Sequence, residues 1–418
     1  MRIATSEIYT STVQTMNNQE AQLAQLEDEI SSGQALTTPA SNPVAAAQAV
    51  QLSATYSTLS QYSTNQTDAL TSLQLEDSTL GSVTTELQSF NSLLESANSG
   101  TLNDTDRAAL AQQLEGVRNQ LLSLANTTDG TGSYLFAGYD ANTQPFTNSA
   151  SGVGVTYSGD EGERTMQISD TTQIAVTDPG SNVFMAVSAG ATPVASGSSA
   201  NTGTGTIGAV TVSNPAAVPN DANYSITFSD TTGTLTYGVT DESTTPPTQL
   251  STAQTYTAGQ PITLGSGMSV TISGTPASGD AFSVQSANLS TAGNGTGTDV
   301  FAAMDAVIAA LQSPVSGNDA AAANLTNVIA TATTQISNEL TNVSTIQASV
   351  GGREDQVEAT QTLTSSTSTQ TQTNLSGLVN TNLTSTISEY EQVETALTAS
   401  QKTFAETSSL SLFQYINP

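Results

Sequence analysis

The sequence predicts an α+β protein: a long antiparallel helical coiled-coil rod formed by both chain ends, with a β-hairpin and an inserted β-rich outer domain. Apolar residues recur at every seventh position near both ends of the chain, which is typical of helices that pack along one narrow stripe. In the middle of the chain the apolar residues alternate instead, which is typical of strands. We therefore expect the chain to run out along helices, form the β-rich region and return along helices.

The two terminal helices carry thin apolar stripes. In the first helix the second apolar position of the heptad is taken by Gln19, and in the last helix by Glu394 or Gln401. A stripe this thin needs partner helices, so we expect the two termini to pair with each other and with other copies. The residues predicted to drive self-assembly are Tyr9, Met16, Leu23, Ile30, Leu383, Ile387, Tyr390, Leu397, Phe404, Leu410, Leu412 and Phe413.

The helices between the termini have fuller apolar faces. A breaker-rich loop ends the first helix, and a helix of about 55 residues is expected to begin near Pro43. A further helix opens at Asn103, and a long returning helix is interrupted by the polar segment 364–374. These helices are expected to form the rod core, with the buried residues Leu73, Leu80, Val83, Leu87, Phe90, Leu94, Leu114, Leu121, Ile329, Ile336, Val343 and Val350.

The β-rich part contains two patterns. Alternating apolar residues in 153–157 and 166–168 flank the turn 159–162, which predicts that the two segments pair as a β-hairpin. A weak internal similarity between 210–226 and 270–284 suggests two similar β-units. The predicted domains are a terminal coiled-coil segment (1–36 and 375–418), a helical rod domain with the hairpin (37–187 and 297–374) and a β-rich outer domain (188–296).

Composition narrows the function. The 418 residues include 36 acidic and 6 basic ones, and a net charge of -30 disfavours nucleic acid and anionic membranes as partners. Without Cys or His the chain lacks thiolate ligands and the usual general base, so we expect no catalytic residues, no metal and no cofactor. The carboxylates at 27–29 and 354–358 could serve a glycoside hydrolase, but on such helices they are better interpreted as solvated faces. The first residues contain no apolar stretch of the signal-peptide kind.

Five segments carry a family resemblance: MRIATSEIY, SSGQALTTPASNPVAAAQA, GTGSYLFAGYDANTQPF, VTYSGDEGERTMQI and ASQKTFAETSSLSLFQYI. They resemble segments of the flagellin superfamily, and the start and the ending resemble its hook–filament junction branch more than filament flagellins. The loop in this chain departs from the family's charged pattern at Gln34-Ala35 and Ser41-Asn42. That places the family's charge contacts there in doubt.

The resemblance implies a non-enzymatic structural subunit of the bacterial flagellum, located outside the cell as a ring of copies. Its implied partners are other copies, the hook-side junction protein and flagellin, with a cytosolic export chaperone at the C-terminal helix. It also implies type III export without a cleavable signal peptide, and terminal helices that fold as they assemble. A filament flagellin is an alternative, and so is a secreted coiled-coil adhesin or fibre. An antiparallel return of the chain would argue against a parallel trimeric fibre.

Overall fold

A computed structural model describes residues 5–188, 190–218, 221–231, 233–287 and 299–409 and confirms the α+β class. The helices are α1 Thr5–Ser32, α2 Pro43–Ala97, α3 Asp104–Ala125, α4 Gly180–Phe184, α5 Val300–Gln312, α6 Asp319–Val379 and α7 Leu383–Ser409. The strands are β1 Phe146–Asn148, β2 Val155–Tyr157, β3 Thr165–Gln167, β4 Gln173–Ala175, β5 Val194–Gly197, β6 Thr206–Ile207, β7 Thr211–Val212, β8 Asn223–Thr231, β9 Thr234–Asp241, β10 Thr248–Thr255, β11 Pro261–Thr263, β12 Met268–Ser273 and β13 Ala281–Gln285.

The chain separates into two compact units. The terminal unit comprises Met1–Thr64 and Ala359–Pro418, and the central unit comprises Asn65–Glu358. The division falls inside α2 and inside α6. The three domains predicted from the sequence, with 188–296 as a separate outer domain, remain a prediction. No helix in the described part of the chain is long and apolar enough to cross a membrane.

Helix ends follow the capping chemistry of the sequence. The N–H of Gly33 donates to the carbonyl of Glu29 at 2.9 Å, and Gly33 adopts a φ of 69° that favours glycine after a helix. At the start of α2, the side chain of Asn42 accepts the N–H of Ala45 at 3.1 Å. Asn103 caps α3 by accepting two backbone N–H groups at 2.9 Å. These caps satisfy backbone donors and acceptors that would otherwise be unpaired.

The predicted interruption at 364–374 is wrong, because α6 runs unbroken from Asp319 to Val379. The segment contains neither glycine nor proline, so nothing in it breaks a helix. Its hydroxyls bond to the helix itself: Thr369 donates to the carbonyl of Ser365 at 2.9 Å, and Thr373 to that of Thr369 at 2.8 Å. Polar composition alone was therefore a poor signal for a helix end.

The predicted hairpin has its strands in the right places but with the wrong partners. β2 pairs antiparallel with β1, with Phe146 opposite Tyr157. β3 pairs with β4, which places Met166 opposite Ile174. There are thus two small hairpins, and the turn that looked like a hairpin connection joins one to the next. Alternation identifies a strand but carries no information about its neighbour.

The region from β5 to β13 forms two sheets with a core of their own. One sheet has five strands in the order β10-β9-β8-β13-β5, and the other has β11-β12-β6 with β7 also paired to β12. The two similar segments do not form two units, because they pair with each other: β7 with β12, and β8 with β13. Ile226 lies opposite Phe282 in that register, and both are buried.

The central unit buries the whole predicted rod-core set. The residues are 0% exposed except Ile329, at 4%. They belong to one large core formed by α2, α3, α5, α6 and the small hairpins. The set consists of Leu73, Leu80, Val83, Leu87, Phe90, Leu94, Leu114, Leu121, Ile329, Ile336, Val343 and Val350.

An aromatic cluster joins the β1–β2 hairpin to helices α4 and α5. The Phe184 ring lies 5.4 Å from that of Phe136 and 5.3 Å from that of Phe146, in edge contacts. Phe301 of α5 lies 6.1 Å from Phe184, and Tyr157 lies 5.1 Å from Phe146. Edge and tilted contacts of this kind add stability beyond the area they bury. The cluster therefore packs segments that are far apart in sequence into one core.

Asparagines of α6 attach the β-rich region to the helix. Asn338 accepts the N–H of Thr192 and donates to its carbonyl, both at 2.9 Å. Asn327 accepts the N–H of Ile207 at 2.9 Å and donates to the carbonyl of Gly205 at 3.1 Å. Because an amide offers a donor and an acceptor side by side, each asparagine pairs with a backbone as a neighbouring strand would. The β-rich region is therefore fixed to α6 by buried hydrogen bonds.

Candidate self-assembly surface

Helices α1 and α7 pair antiparallel in the terminal unit. The rings of Tyr9 and Phe404 meet edge to face at 5.5 Å, and the Tyr9 hydroxyl donates to the carbonyl of Thr407 at 3.4 Å. Towards the other end of the pair, Gln22 donates to the carboxylate of Glu389 at 3.3 Å. The predicted pairing of the two termini within one chain is therefore present in the structure.

The loop after α1 is joined to the segment before α7 by backbone hydrogen bonds. Gln34 and Asn380 form an antiparallel bridge, and the N–H of Ala35 donates to the carbonyl of Val379 at 2.8 Å. Backbone contacts do not require a charged side chain. The closure of the helix pair at Gln34 and Ala35 therefore depends on backbone groups and not on the side chains of these residues.

Most of the predicted assembly stripe is only partly covered. Leu383 is 48% exposed and Ile387 is 44% exposed. Leu410, Leu412 and Phe413 lie outside the described residues. The remaining members are half-buried: Tyr9, Met16, Leu23, Ile30, Tyr390, Leu397 and Phe404.

The residues predicted from the seven-residue repeat do not include the most buried side chains of the α1–α7 pair. Leu26 is 6% exposed, and Thr386 on α7 is 7% exposed. Leu26 lies three residues after Leu23, at the second apolar position of the same heptad, so the signal was present in the sequence. Further exposed apolar residues of the terminal unit extend the uncovered surface beyond the predicted stripe: Val13, Val44, Val50 and Leu363.

Two grooves lie between the terminal-unit parts of α2 and α6. One has a volume of about 730 Å³ and is lined by residues that include Val50, Tyr56 and Leu375. The other, of about 610 Å³, is lined by residues that include Leu52 and Leu378. Polar side chains make up most of the lining of the smaller groove, whereas the larger groove combines apolar and polar side chains. A groove between two helices with apolar side chains in it is the kind of surface that accepts a third helix.

The surface of the terminal unit is acidic. Its acidic residues include the run 27–29 on α1, and Lys402 is the one lysine or arginine of this unit among the residues the structure describes. Like charges on neighbouring copies repel one another over about a Debye length, roughly 8 Å at physiological salt. Association of copies through this unit should therefore depend on apolar contact rather than on charge pairing.

The arginines of the central unit serve internal contacts instead. The guanidinium of Arg118 binds the carboxylate of Asp305 at 2.9 and 3.0 Å and donates to Asn148 at 2.6 Å. It also lies 5.6 Å from the centre of the Phe301 ring. A bidentate pair of this kind holds α3 and α5 in one alignment.

Two of the segments that suggested a family bind each other. Asp160, in the segment 155–168, accepts the N–H of Tyr139 at 2.8 Å, in the segment 130–146. Backbone donors, Tyr139 first, hold the pKa of Asp160 below its usual value. Gly138 has a φ of 69°, and a Cβ there would lie 2.1 Å from a carboxylate oxygen of Asp160. The glycine is therefore required by the close approach of the carboxylate.

Comparison with known proteins agrees with this architecture. The family model "bacterial flagellin N-terminal helical region" matches residues 3–141. Flagellar hook-associated protein 3 of Salmonella typhimurium is 27% identical over 414 residues, which cover 99% of each chain. A crystal structure of FlgL from Xanthomonas campestris is 28% identical with a TM-score of 0.66, covering 77% of this chain and 98% of that one.

The flagellar junction protein FlgL from Legionella pneumophila is similar to the same extent. It is 26% identical, its crystal structure has a TM-score of 0.66, and the match covers 80% of this chain and 100% of that chain. These matches confirm the resemblance drawn from the terminal and hairpin segments. The chain is therefore similar to flagellar hook-associated protein 3 along almost its whole length, and its residues 3–141 match the flagellin N-terminal helical region.

Proposed function

We propose that this protein is a non-enzymatic structural subunit of the bacterial flagellum that joins the hook-side junction protein to the filament. Two similar proteins support this assignment: one is named as a flagellar hook-associated protein and the other as a flagellar junction protein. Each match covers nearly the whole length of the similar protein. A family-model match to the flagellin N-terminal helical region agrees with a place in the same helical assembly.

One structural observation supports the mechanism most directly: the paired terminal helices leave their apolar stripe half covered. A side chain such as Phe404 already contacts Tyr9, yet both remain partly exposed. Burying an apolar side chain fully is worth about 1.5–3 kcal/mol. Neighbouring copies that cover the stripe would therefore stabilise the terminal helices as they bind. Folding of this unit and assembly of the ring are coupled in this proposal.

The proposed partners follow from that position. Other copies would pack against the grooves of the terminal unit, with the hook-side junction protein on one side of the ring and flagellin on the other. Before assembly, an export chaperone would cover the C-terminal helix, whose apolar residues Leu383 and Ile387 are exposed. We propose that the chain reaches the outside of the cell through the flagellum's own type III export route.

Imaging of flagella that carry a labelled copy of the protein tests this function. The expected result is one band at the boundary of hook and filament. Label along the whole filament would instead identify a filament flagellin, and absence of label from flagella would contradict a flagellar role altogether. A deletion strain gives a second measurement, since it should keep its hooks and release flagellin into the medium.

A further inference from the structure

Two glutamates lie inside the core of the central unit. Glu76 on α2 is 0% exposed, and Glu339 on α6 is 1% exposed. Each takes a heptad position that elsewhere on its helix holds apolar residues: Val83 follows Glu76 by seven residues, and Ile346 follows Glu339 by seven. Burial of an ionised carboxylate is costly unless charge partners and hydrogen-bond donors surround it, so the surroundings of each glutamate decide its state.

Glu76 has too few donors for an anion. One carboxyl oxygen accepts the N–H of Asp178 at 2.9 Å, and the other has no hydrogen-bond partner. The charged groups that face it are the Asp178 carboxylate and Arg353 of α6. The Arg353 guanidinium is already paired with Asp178 and also donates to the carbonyl of Ala175 at 3.1 Å. Burial, and then the charge of Asp178, raise the pKa of Glu76 to about 8.

Glu339 repeats this arrangement with a different aspartate. Neither of its carboxyl oxygens has a hydrogen-bond partner, and the charged group that faces it is Asp299. Asp299 accepts backbone N–H groups from Val155 at 3.0 Å, Phe301 at 2.9 Å and Ala302 at 3.2 Å. Burial raises the pKa of Asp299 in spite of these donors, and the nearby Asp305 carboxylate adds to the rise. Glu339 has no donor at all, so its anion is the less stabilised of the two. Burial, and then Asp299, raise the pKa of Glu339 well above its ordinary value.

We propose that Glu76 and Glu339 make the stability of the central unit proton-dependent: each holds a proton while the unit is folded, and unfolding at neutral pH releases both. In the unfolded chain a glutamate releases its proton near its ordinary pKa of 4.5. Above that pH the folded unit binds more protons than the unfolded chain, so its stability falls as pH rises. For Glu76 this loss runs from about pH 4.5 to about pH 8, and for Glu339 it starts at the same pH.

Three other carboxyls change the stability of the protein in a separate, more acidic pH range. Asp104, Asp129 and Asp160 have pKa values lowered from the ordinary 3.8, chiefly by donors from Arg107, Thr131 and Tyr139 respectively. Their contribution is lost only as pH falls through those lowered values. A fall in stability between about pH 5 and about pH 8 is therefore attributable to carboxyls with raised pKa values, which include Asp299 and Glu354 besides Glu76 and Glu339.

Urea unfolding of the full chain across that pH range tests the proposal. Each proton released on unfolding raises the unfolding equilibrium constant up to tenfold per pH unit. Glutamine has the shape of a neutral glutamic acid, so Glu76→Gln and Glu339→Gln should each lower the slope of the wild type. The double variant should lower it further and leave the part that Asp299 and Glu354 contribute. Glu95→Gln, at an exposed position of the same α2, should leave the slope unchanged. If the unfolding free energy of every variant changed with pH as steeply as that of the wild type, the proposal would be overturned.

Carboxyl ¹³C NMR of the folded protein, labelled at glutamate, gives a measurement that does not depend on a variant's stability. Two glutamate carboxyls should keep the chemical shift of the protonated form at neutral pH. Their signals should be assigned by their absence from the spectra of the two glutamine variants. If every glutamate carboxyl titrates near its ordinary pKa, Glu76 and Glu339 are ionised in the folded protein and the proposal is wrong.

Discussion

The terminal and central units carry the same heptad signal but bury it to very different degrees. In the central unit the heptad residues lie in one large core, with Leu73, Leu87 and Val343 at 0% exposure. In the terminal unit Leu26 and Ala45 are the buried apolar residues among those described. A heptad thus predicts that a helix has an apolar stripe. It does not predict whether that stripe is covered within the same chain.

The difference lies in what packs on each stripe. In the central unit α3, α5 and the aromatic cluster cover the faces of α2 and α6. In the terminal unit α1 and α7 contact each other through thin apolar stripes. Two helices alone cover only part of each stripe, and the rest stays exposed to solvent. Substitutions in the central unit should therefore weaken the monomer, and substitutions in the terminal unit should weaken the assembly.

The largest contrast is expected from one substitution made in both units. Phe184→Ala removes a ring that is 0% exposed and contacts other aromatic rings, so it should cost about 3–5 kcal/mol of unfolding free energy. Phe404→Ala removes a half-buried ring with one aromatic contact and should cost about 1 kcal/mol. Urea unfolding of the two variants measures the difference. Equal losses would mean that the terminal helices form a closed internal core.

A second contrast comes from the buried ion pair of the central unit. Asp305→Asn leaves the Arg118 guanidinium, whose side chain is 7% exposed, without its carboxylate. The loss should be about 3 kcal/mol, because an unpaired buried charge keeps its desolvation cost. The thermal midpoint of the variant should drop accordingly. Glu394→Gln on the exposed surface of α7 is the control, and it should have almost no effect on the midpoint.

A smaller loss of stability is expected from substitution of the α6 asparagines that bind the β-rich region. Asn338→Ala removes two hydrogen bonds to Thr192 and should cost about 1–3 kcal/mol. Hydrogen exchange at the Thr192 amide should accelerate as that attachment loosens. Asn324→Ala removes a single hydrogen bond, at 3.1 Å, and should have about half the effect on stability. Unchanged exchange in the Asn338 variant would show that the attachment does not depend on this amide.

The smallest effect on the monomer should accompany a loss of assembly. Leu383→Ser with Ile387→Ser changes side chains that are 48% and 44% exposed, so the unfolding free energy should stay within about 0.5 kcal/mol of the wild type. In a strain that lacks the native protein, the double variant should fail to restore motility and should release flagellin into the medium. Val153→Ser, at a 52% exposed position of the central unit, should restore motility normally. Normal filaments with the double variant would make the exposed stripe incidental.

Much of the helical architecture could be predicted because its signals are local. The cap at Asn103 and the heptad leucines of α2 act within a few turns of their own helix. The strand partners and the continuity of α6 were not predictable in this way. A strand's neighbour depends on long-range register, and the hydroxyls of 364–374 are satisfied by the helix that contains them.

The candidate assembly surface was only partly predictable for the same reason. The stripe residues followed from the heptad, yet Leu26 and the exposed Val50 were missed. Exposure is a property of what lies opposite a side chain, and a sequence pattern contains only one of the two surfaces. The pairing of Tyr9 with Phe404 therefore needed both chain ends in one structure.

By itself, the sequence determined the helical periods, the helix caps and the acidic, polar surface of this protein, because each follows from residues close together in the chain. Only the tertiary structure decided which stripes are covered, which strands pair and which carboxyls lie in the core. Glu76 and Glu339 are the clearest case: both occupy heptad positions in the sequence, and it is burial by distant segments that raises their pKa values. The heptad marks these positions, but whether a carboxyl there is covered depends on residues far apart in sequence.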